Sequence, residues 1–231
     1  MMSDELELPA RAMAIFAHPD DVDFGASGTL AAWAAKGVHI TYCVITSGQK
    51  GTHDPKMKPE RLARIRETEQ RAAGRVVGAK EFVFLGHQDG ETLAHDPALR
   101  EQVCRAIRVA KPDVVFCQDP WREYQMHPDH RNAGWAALDG IIAARDHLFF
   151  PHHLRNGLTH HRVERVYLFG TLDPNTWFDI TKVMETKIAA IASHESQIDG
   201  AQVRERMRRF AGFGARWGME RSEGFRYIEL G

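Results

Sequence analysis

Cysteine is scarce in this chain. Its 231 residues include three, Cys43, Cys104 and Cys117, widely spaced and with no CxxC pair. That excludes a disulfide framework and a cysteine-ligated zinc site, and it points to a reducing cytoplasm. Charge of one sign is missing as well: 30 Lys and Arg stand against 31 Asp and Glu, a net of −1. A near-neutral chain has no overall electrostatic reason to bind nucleic acid or an anionic membrane. No apolar run approaches the roughly 18 residues of a membrane span. Residues 1–9 are acidic and lack the basic and apolar regions of a signal peptide. There is no internal repeat and no low-complexity segment.

What is present is globular. Hydrophobic residues make up 43% and charged residues 26%, an ordinary balance for a folded domain. The length fits one domain spanning 1–231. Strand-like and helix-like patterns alternate. Residues 11–17, 38–46, 81–85, 113–117 and 165–169 read as strands, the second being the β-branched run VHITYCVIT. Residues 28–36, 59–77, 97–110, 129–145, 179–193 and 203–210 read as helices, and 225–230 as a terminal strand. Pro59 suits a helical first turn, and Gly37 suits a helix end.

This alternation predicts an α/β fold: a Rossmann-like, mostly parallel sheet with helices on both faces. In the strand order 3-2-1-4-5, strands one and four are neighbours. Ligands bind in the crevice at their carboxyl ends.

The residues that follow those two strands carry the chemistry. After the first comes Ala17-His18-Pro19-Asp20-Asp21; after the fourth comes His127-Pro128-Asp129-His130. The first βα turn lacks the Gly-x-Gly-x-x-Gly that receives a pyrophosphate, and its carboxylates would repel one. Nicotinamide and flavin cofactors are therefore not expected. A His and a carboxylate facing another His can make a three-ligand metal site with a position left for water. A spare carboxylate beside it can act as general base. Taken singly, each motif also reads as a turn or helix cap; it is their shared place at the switch point that points to a metal site.

These residues resemble the PIG-L/LmbE-like family of zinc-dependent N-acetylglucosamine deacetylases. The likeness runs through AHPDDVDFGASGTLA at 17–31, Arg66-x-x-Glu69, FLGHQDGE at 84–91, HPDH at 127–130, HESQ at 194–197 and EGFRYIEL at 223–230. It implies that His18, Asp21 and His130 ligate zinc and that Asp20 is the general base. It further implies that His127 stabilises the oxyanion, that Asp129 orients His127 and keeps it charged, and that Arg66 and Asp89 contact the sugar or fix the pocket. Asp23 stands where many members carry Glu, and Ser27 replaces the first glycine of a usual pair. The implied partner is a small amino-sugar conjugate, and a homo-oligomer is compatible with the resemblance.

Some readings stay open. Fe(II) can occupy the same donors in place of zinc, because affinity alone does not select the metal. Two histidines and a carboxylate also describe a non-haem Fe(II) redox site or a binding module without turnover, and the acyl-amide substrate can differ. Arg66 also reads as a surface charge paired with Glu69, Asp89 as a turn former, and His194 as a structural residue. Thirteen histidines are many for this length. His152, His153, His160 and His161 fall in a surface excursion at 145–161.

Overall fold

A computed structural model describes residues 7–199 and 219–231, together with 203, 205 and 207. Its centre is a seven-stranded sheet in the order β3-β2-β1-β4-β5-β7-β6. Five strands are parallel: β1 (Arg11–Phe16), β2 (His39–Thr46), β3 (Glu81–His87), β4 (Val114–Gln118) and β5 (Arg165–Phe169). The expected order 3-2-1-4-5 is thus present. It is extended at one edge by two antiparallel strands, β6 (Thr176–Asp179) and β7 (Ser222–Glu229).

Side chains alternate across a strand with a period of two, so each strand feeds two cores. Ala12, Ala14 and Phe16 of β1 join Ile40, Tyr42 and Val44 of β2, and Phe116 and Tyr167, on one face. Helices α1 (Asp21–Gly25), α2 (Ser27–Ala35), α3 (Pro59–Val77) and α7 (Met184–Ala192) lie on that side, where Leu30, Trp33, Ala73, Val77 and Ala190 pack. Met13, Ile15, Cys43, Val115 and Cys117 turn to the other face. There they meet Leu99, Val103 and Ile107 of α4 (Pro97–Ala110) and Ala133, Ala137 and Ile141 of α5 (Pro128–Arg145).

Two features differ from the sequence reading. The segment expected as a helix over 179–193 starts instead in β6, passes a 3₁₀ turn at Thr181–Val183, and becomes helical only at Met184. The His-rich excursion contains a short helix, α6 (Pro151–Arg155), and His153 is 4% exposed. It is held to the core by Arg108 and Glu101, with His152 Nε2 2.6 Å from Glu101 Oε1. The expected helix at 203–210 lies for the most part outside the described residues.

All three cysteines are free and buried. Burial pushes the Cys43 thiol up to about 12 and the Cys104 thiol up to about 11, and raises Cys117 further. A thiol reacts as its thiolate. The folded protein is therefore expected to resist an aromatic disulfide reagent at pH 8 over hours, and to release three equivalents once unfolded in guanidinium. A rapidly titrating thiol in the folded protein would contradict this packing.

Candidate active site

β1 and β4 are adjacent and parallel, and β2 and β5 lie outside them. The loops after β1 and β4 therefore leave the sheet side by side at the topological switch point. Gln118, the last residue of β4, ties the two loops. Its Oε1 accepts the Ala17 N–H at 3.2 Å and its Nε2 donates to Asp21 Oδ2 at 2.9 Å. Asp21 opens α1, while the HPDH motif opens α5 with Pro128 in the first turn and His127 as N-cap.

The histidines converge. The His18 ring lies 4.6 Å from that of His127 and 5.1 Å from that of His130, centroid to centroid, and His127 and His130 are stacked at 4.8 Å. Asp21 bridges two of them: Oδ2 lies 3.4 Å from His18 Nδ1 and Oδ1 lies 3.1 Å from His130 Nε2. The other His18 nitrogen, Nε2, is 3.1 Å from both Asp89 Oδ1 and Asp129 Oδ2. Burial alone would lower the His18 pKa. Hydrogen bonds to Asp129, Asp21 and Asp89 outweigh burial and push it up to about 11. Against burial, hydrogen bonds from His130 and then His18 hold Asp21 below the usual carboxylate range, and the His18 hydrogen bond does the same first of all for Asp89 and Asp129.

Three carboxylates surround the one His18 imidazole. The ligand atoms of His18, His127 and His130 fall within 4.8 Å of one another, as do those of His18, Asp89, His127 and Asp129. Imidazole and carboxylate are the donors that divalent transition metals take. The cluster can hold such an ion, and His18 and His127 belong to both groups.

Asp20 stands beside the cluster. Its carboxylate accepts from Arg66 at 3.1 Å rather than from a histidine. Burial, then the Asp21 charge next door, pushes Asp20 up to about 7, with Arg66, His194 and His18 opposing. A carboxyl that exchanges its proton near neutral pH can both take one and return it.

Arg66 is 5% exposed, so the surface pairing with Glu69 does not occur. Its guanidinium donates to the carbonyls of Pro19 at 2.6 Å and Gly48 at 2.9 Å as well as to Asp20. Gly48 has φ 61°, and a Cβ there would collide with the Arg66 guanidinium. Asp89 is buried and accepts the Lys50 N–H at 3.0 Å. Asp89 belongs to the cluster, and Arg66 borders it through Asp20.

Asp129 is placed differently from the expectation. Its carboxylate lies within 4.8 Å of a His127 ring nitrogen but is hydrogen-bonded elsewhere. It accepts from His18 as described, from the Gly90 N–H at 2.6 Å and from the Thr92 hydroxyl at 2.5 Å. What meets His127 is the Asp129 backbone N–H, 3.2 Å from Nδ1. That bond leaves the proton of a neutral ring on Nε2. Burial, then the neighbouring His18 and His130, lowers the His127 pKa. Gln70, Thr92, Gln118 and Asn132 also build the site. No motif marks them, because a neutral amide or hydroxyl gains its role only from a neighbour distant in sequence.

This architecture matches known proteins. Residues 13–141 match the PIG-L family, described as GlcNAc-PI de-N-acetylase. A diacetylchitobiose deacetylase of Thermococcus kodakarensis is 33% identical over 187 residues, covering 81% of this chain and 70% of its own. The chain belongs to the PIG-L family. A probable N-acetyl-α-D-glucosaminyl L-malate deacetylase of Bacillus anthracis is 26% identical, with 79% of each chain covered. The solved structure of N,N′-diacetylchitobiose deacetylase from Pyrococcus horikoshii superposes with a TM-score of 0.90 at 32% identity. That match covers 97% of this chain and 88% of the other. Among the described residues of this PIG-L member, no helix is long and apolar enough to cross a membrane.

Proposed function

We propose that this chain is a zinc hydrolase that removes the N-acetyl group from an N-acetylglucosaminyl conjugate, releasing acetate and a free amine. The observation that carries the reading is the meeting of AHPDD and HPDH at the switch point. There Asp21 joins His18 to His130, while Asp20 is held off that set by Arg66. His18, Asp21 and His130 would hold the ion, a two-imidazole, one-carboxylate set suited to zinc. When bound, such an ion lowers the pKa of a water to about 7 and polarises the acetyl carbonyl.

The chain's own residues do the rest. Asp20 takes the proton from the attacking water and hands it to the leaving amine. His127 donates its Nε2–H to the developing oxyanion, a contact worth roughly 3–4 kcal/mol in comparable sites. Asp129 and Asp89 grip His18, and Asp129 is itself fixed by Gly90 and Thr92. Arg66 and Asp89 complete the polar wall against which the sugar packs. The amino-sugar class follows from the named relatives, which act on diacetylchitobiose and on a glucosaminyl malate.

The test is acetate release from diacetylchitobiose and N-acetylglucosaminyl malate by protein loaded with zinc, and separately with Fe(II), with Asp20→Asn as the blank. Acetate from at least one conjugate, absent from the blank, is the expected result. Tight sugar binding with no acetate under either metal would instead favour a binding module.

A further inference from the structure

His194 of the HESQ segment and Asp23 have no part in the chemistry above, yet they belong to a fully buried polar network. Asp23 and His194 are both 0% exposed, and His194 Nε2 lies 2.8 Å from Asp23 Oδ2. Gln70, also 0% exposed, donates from Nε2 to that same Oδ2 at 2.9 Å. Its other end, Oε1, accepts the backbone N–H of Asp20 at 2.7 Å. An unbroken chain therefore runs His194, Asp23, Gln70, Asp20.

Asp20 needs such a hold. Its φ is 100°, a region that L residues avoid. Strain of this kind costs on the order of 1–3 kcal/mol and persists only where the surroundings over-determine it. The Asp20 carbonyl accepts from the N–H groups of Asp23 at 2.9 Å and Phe24 at 3.2 Å, and Arg66 holds the carboxylate. The Asp20 N–H has one partner, the Gln70 side chain. Gln70 could rotate its amide if nothing fixed its far end; Asp23 fixes it, and His194 compensates the buried Asp23 charge. A buried ion pair adds little stability over apolar packing, so stability alone does not account for one here.

The far end of the chain is anchored independently. Lys187 of α7 donates to the carbonyls of Asp23 and Phe24, at 3.0 and 2.7 Å, and pairs with Glu223 at 2.6 Å. Beyond α7, Ser196 binds Glu69, the residue before Gln70 on α3, through both its N–H and its hydroxyl. Gln197 donates to the Gly51 carbonyl at 3.0 Å. Helix α7 and α3 are thus locked in register around the Gln70 side chain.

We propose that His194, Asp23 and Gln70 are positioning residues that hold the backbone of Asp20 in its strained conformation and so aim its carboxylate at the attacking water. This rests on the reading of Asp20 as general base. Gln70→Met is the sharpest test, because it removes the middle link and leaves the His194–Asp23 pair intact. The expected result is a fall in kcat of about 10- to 100-fold, the size of a misaimed catalytic group, with KM and bound zinc unchanged. In an Asp20→Asn background the same substitution should change kcat by less than about twofold, since the two act through one carboxylate. Asp23→Asn, which weakens the His194 link without changing volume, should move kcat in the same direction and serves if Gln70→Met does not fold.

An unaltered kcat in folded Gln70→Met would overturn the proposal, as would an equal loss in the Asp20→Asn background or a parallel loss of zinc. Failure of the underlying reading looks different: Asp20→Asn alone would then keep near-wild-type turnover, and this proposal would fall with it.

Discussion

Asp20→Asn is expected to lower kcat by about 10²- to 10⁴-fold, the range of a lost general base, while zinc content and KM stay near wild type. Asparagine is the right replacement for two reasons. It keeps the shape of the side chain, and it tolerates the positive φ of Asp20 better than alanine does. An alanine would combine lost chemistry with a strained backbone. The separation of turnover from metal content follows from the geometry. Arg66, not a histidine, accompanies the Asp20 carboxylate, so removing its charge leaves His18, Asp21 and His130 in place. It also relieves repulsion from Asp21, the second cause of the raised Asp20 pKa, so stability should not fall. A tenfold step in rate is about 1.4 kcal/mol, and the upper end of the range therefore asks this one group for about 5 kcal/mol. Steady-state kinetics and atomic absorption on the same preparation check both halves. Loss of zinc together with activity would move Asp20 into the ligand set.

Much of this was legible in the sequence, and the failures have physical causes. The five parallel strands are apolar on both faces, so they stand out as continuous runs such as VHITYCVIT. Helices α3, α4 and α5 each start on a proline, a signal that can be read locally. β6 escaped because a four-residue edge strand defined by its partner β7 has no period of its own to read. The resemblance implied that Asp129 orients His127, and the hydrogen bonds of Asp129 run differently. On a helix, residues two apart do not face each other, and the carboxylate bonds His18 while its N–H bonds His127. Gln118 and Gln70 were invisible because their partners lie 97 and 50 residues away. The same holds for His194, whose motif was noticed but whose partner Asp23 is 171 residues distant.

Arg108→Met is expected to cost about 3 kcal/mol or more and to leave the chemistry untouched. Arg108 is 1% exposed, a buried cation whose guanidinium donates to backbone carbonyls instead of a carboxylate. Those carbonyls belong to Ala143 and Ala144 in the last turn of α5, and to Asp146, Phe149 and Phe150 just beyond it. The last carbonyls of a helix have no partners within it, and the helix end carries partial negative charge. Arg108 supplies both the donors and the charge. Methionine keeps the apolar stem but strands several buried acceptors, each costing about 1–3 kcal/mol if left unpaired. For a chain of this size each kcal/mol moves Tm by about 2–4 °C, which puts the expected drop at about 6–12 °C. Arg108→Lys should fall between the two, because one ammonium cannot span the carbonyls that a planar fork reaches. The active site lies at the opposite end of α5, where His127 and Pro128 begin it. At 1.5 Å per residue the two ends are about 27 Å apart. Below its transition, the variant should therefore keep wild-type kcat and KM. A variant that lost activity while still folded would mean that the far end of α5 sets the position of the HPDH motif as well as the stability of the helix.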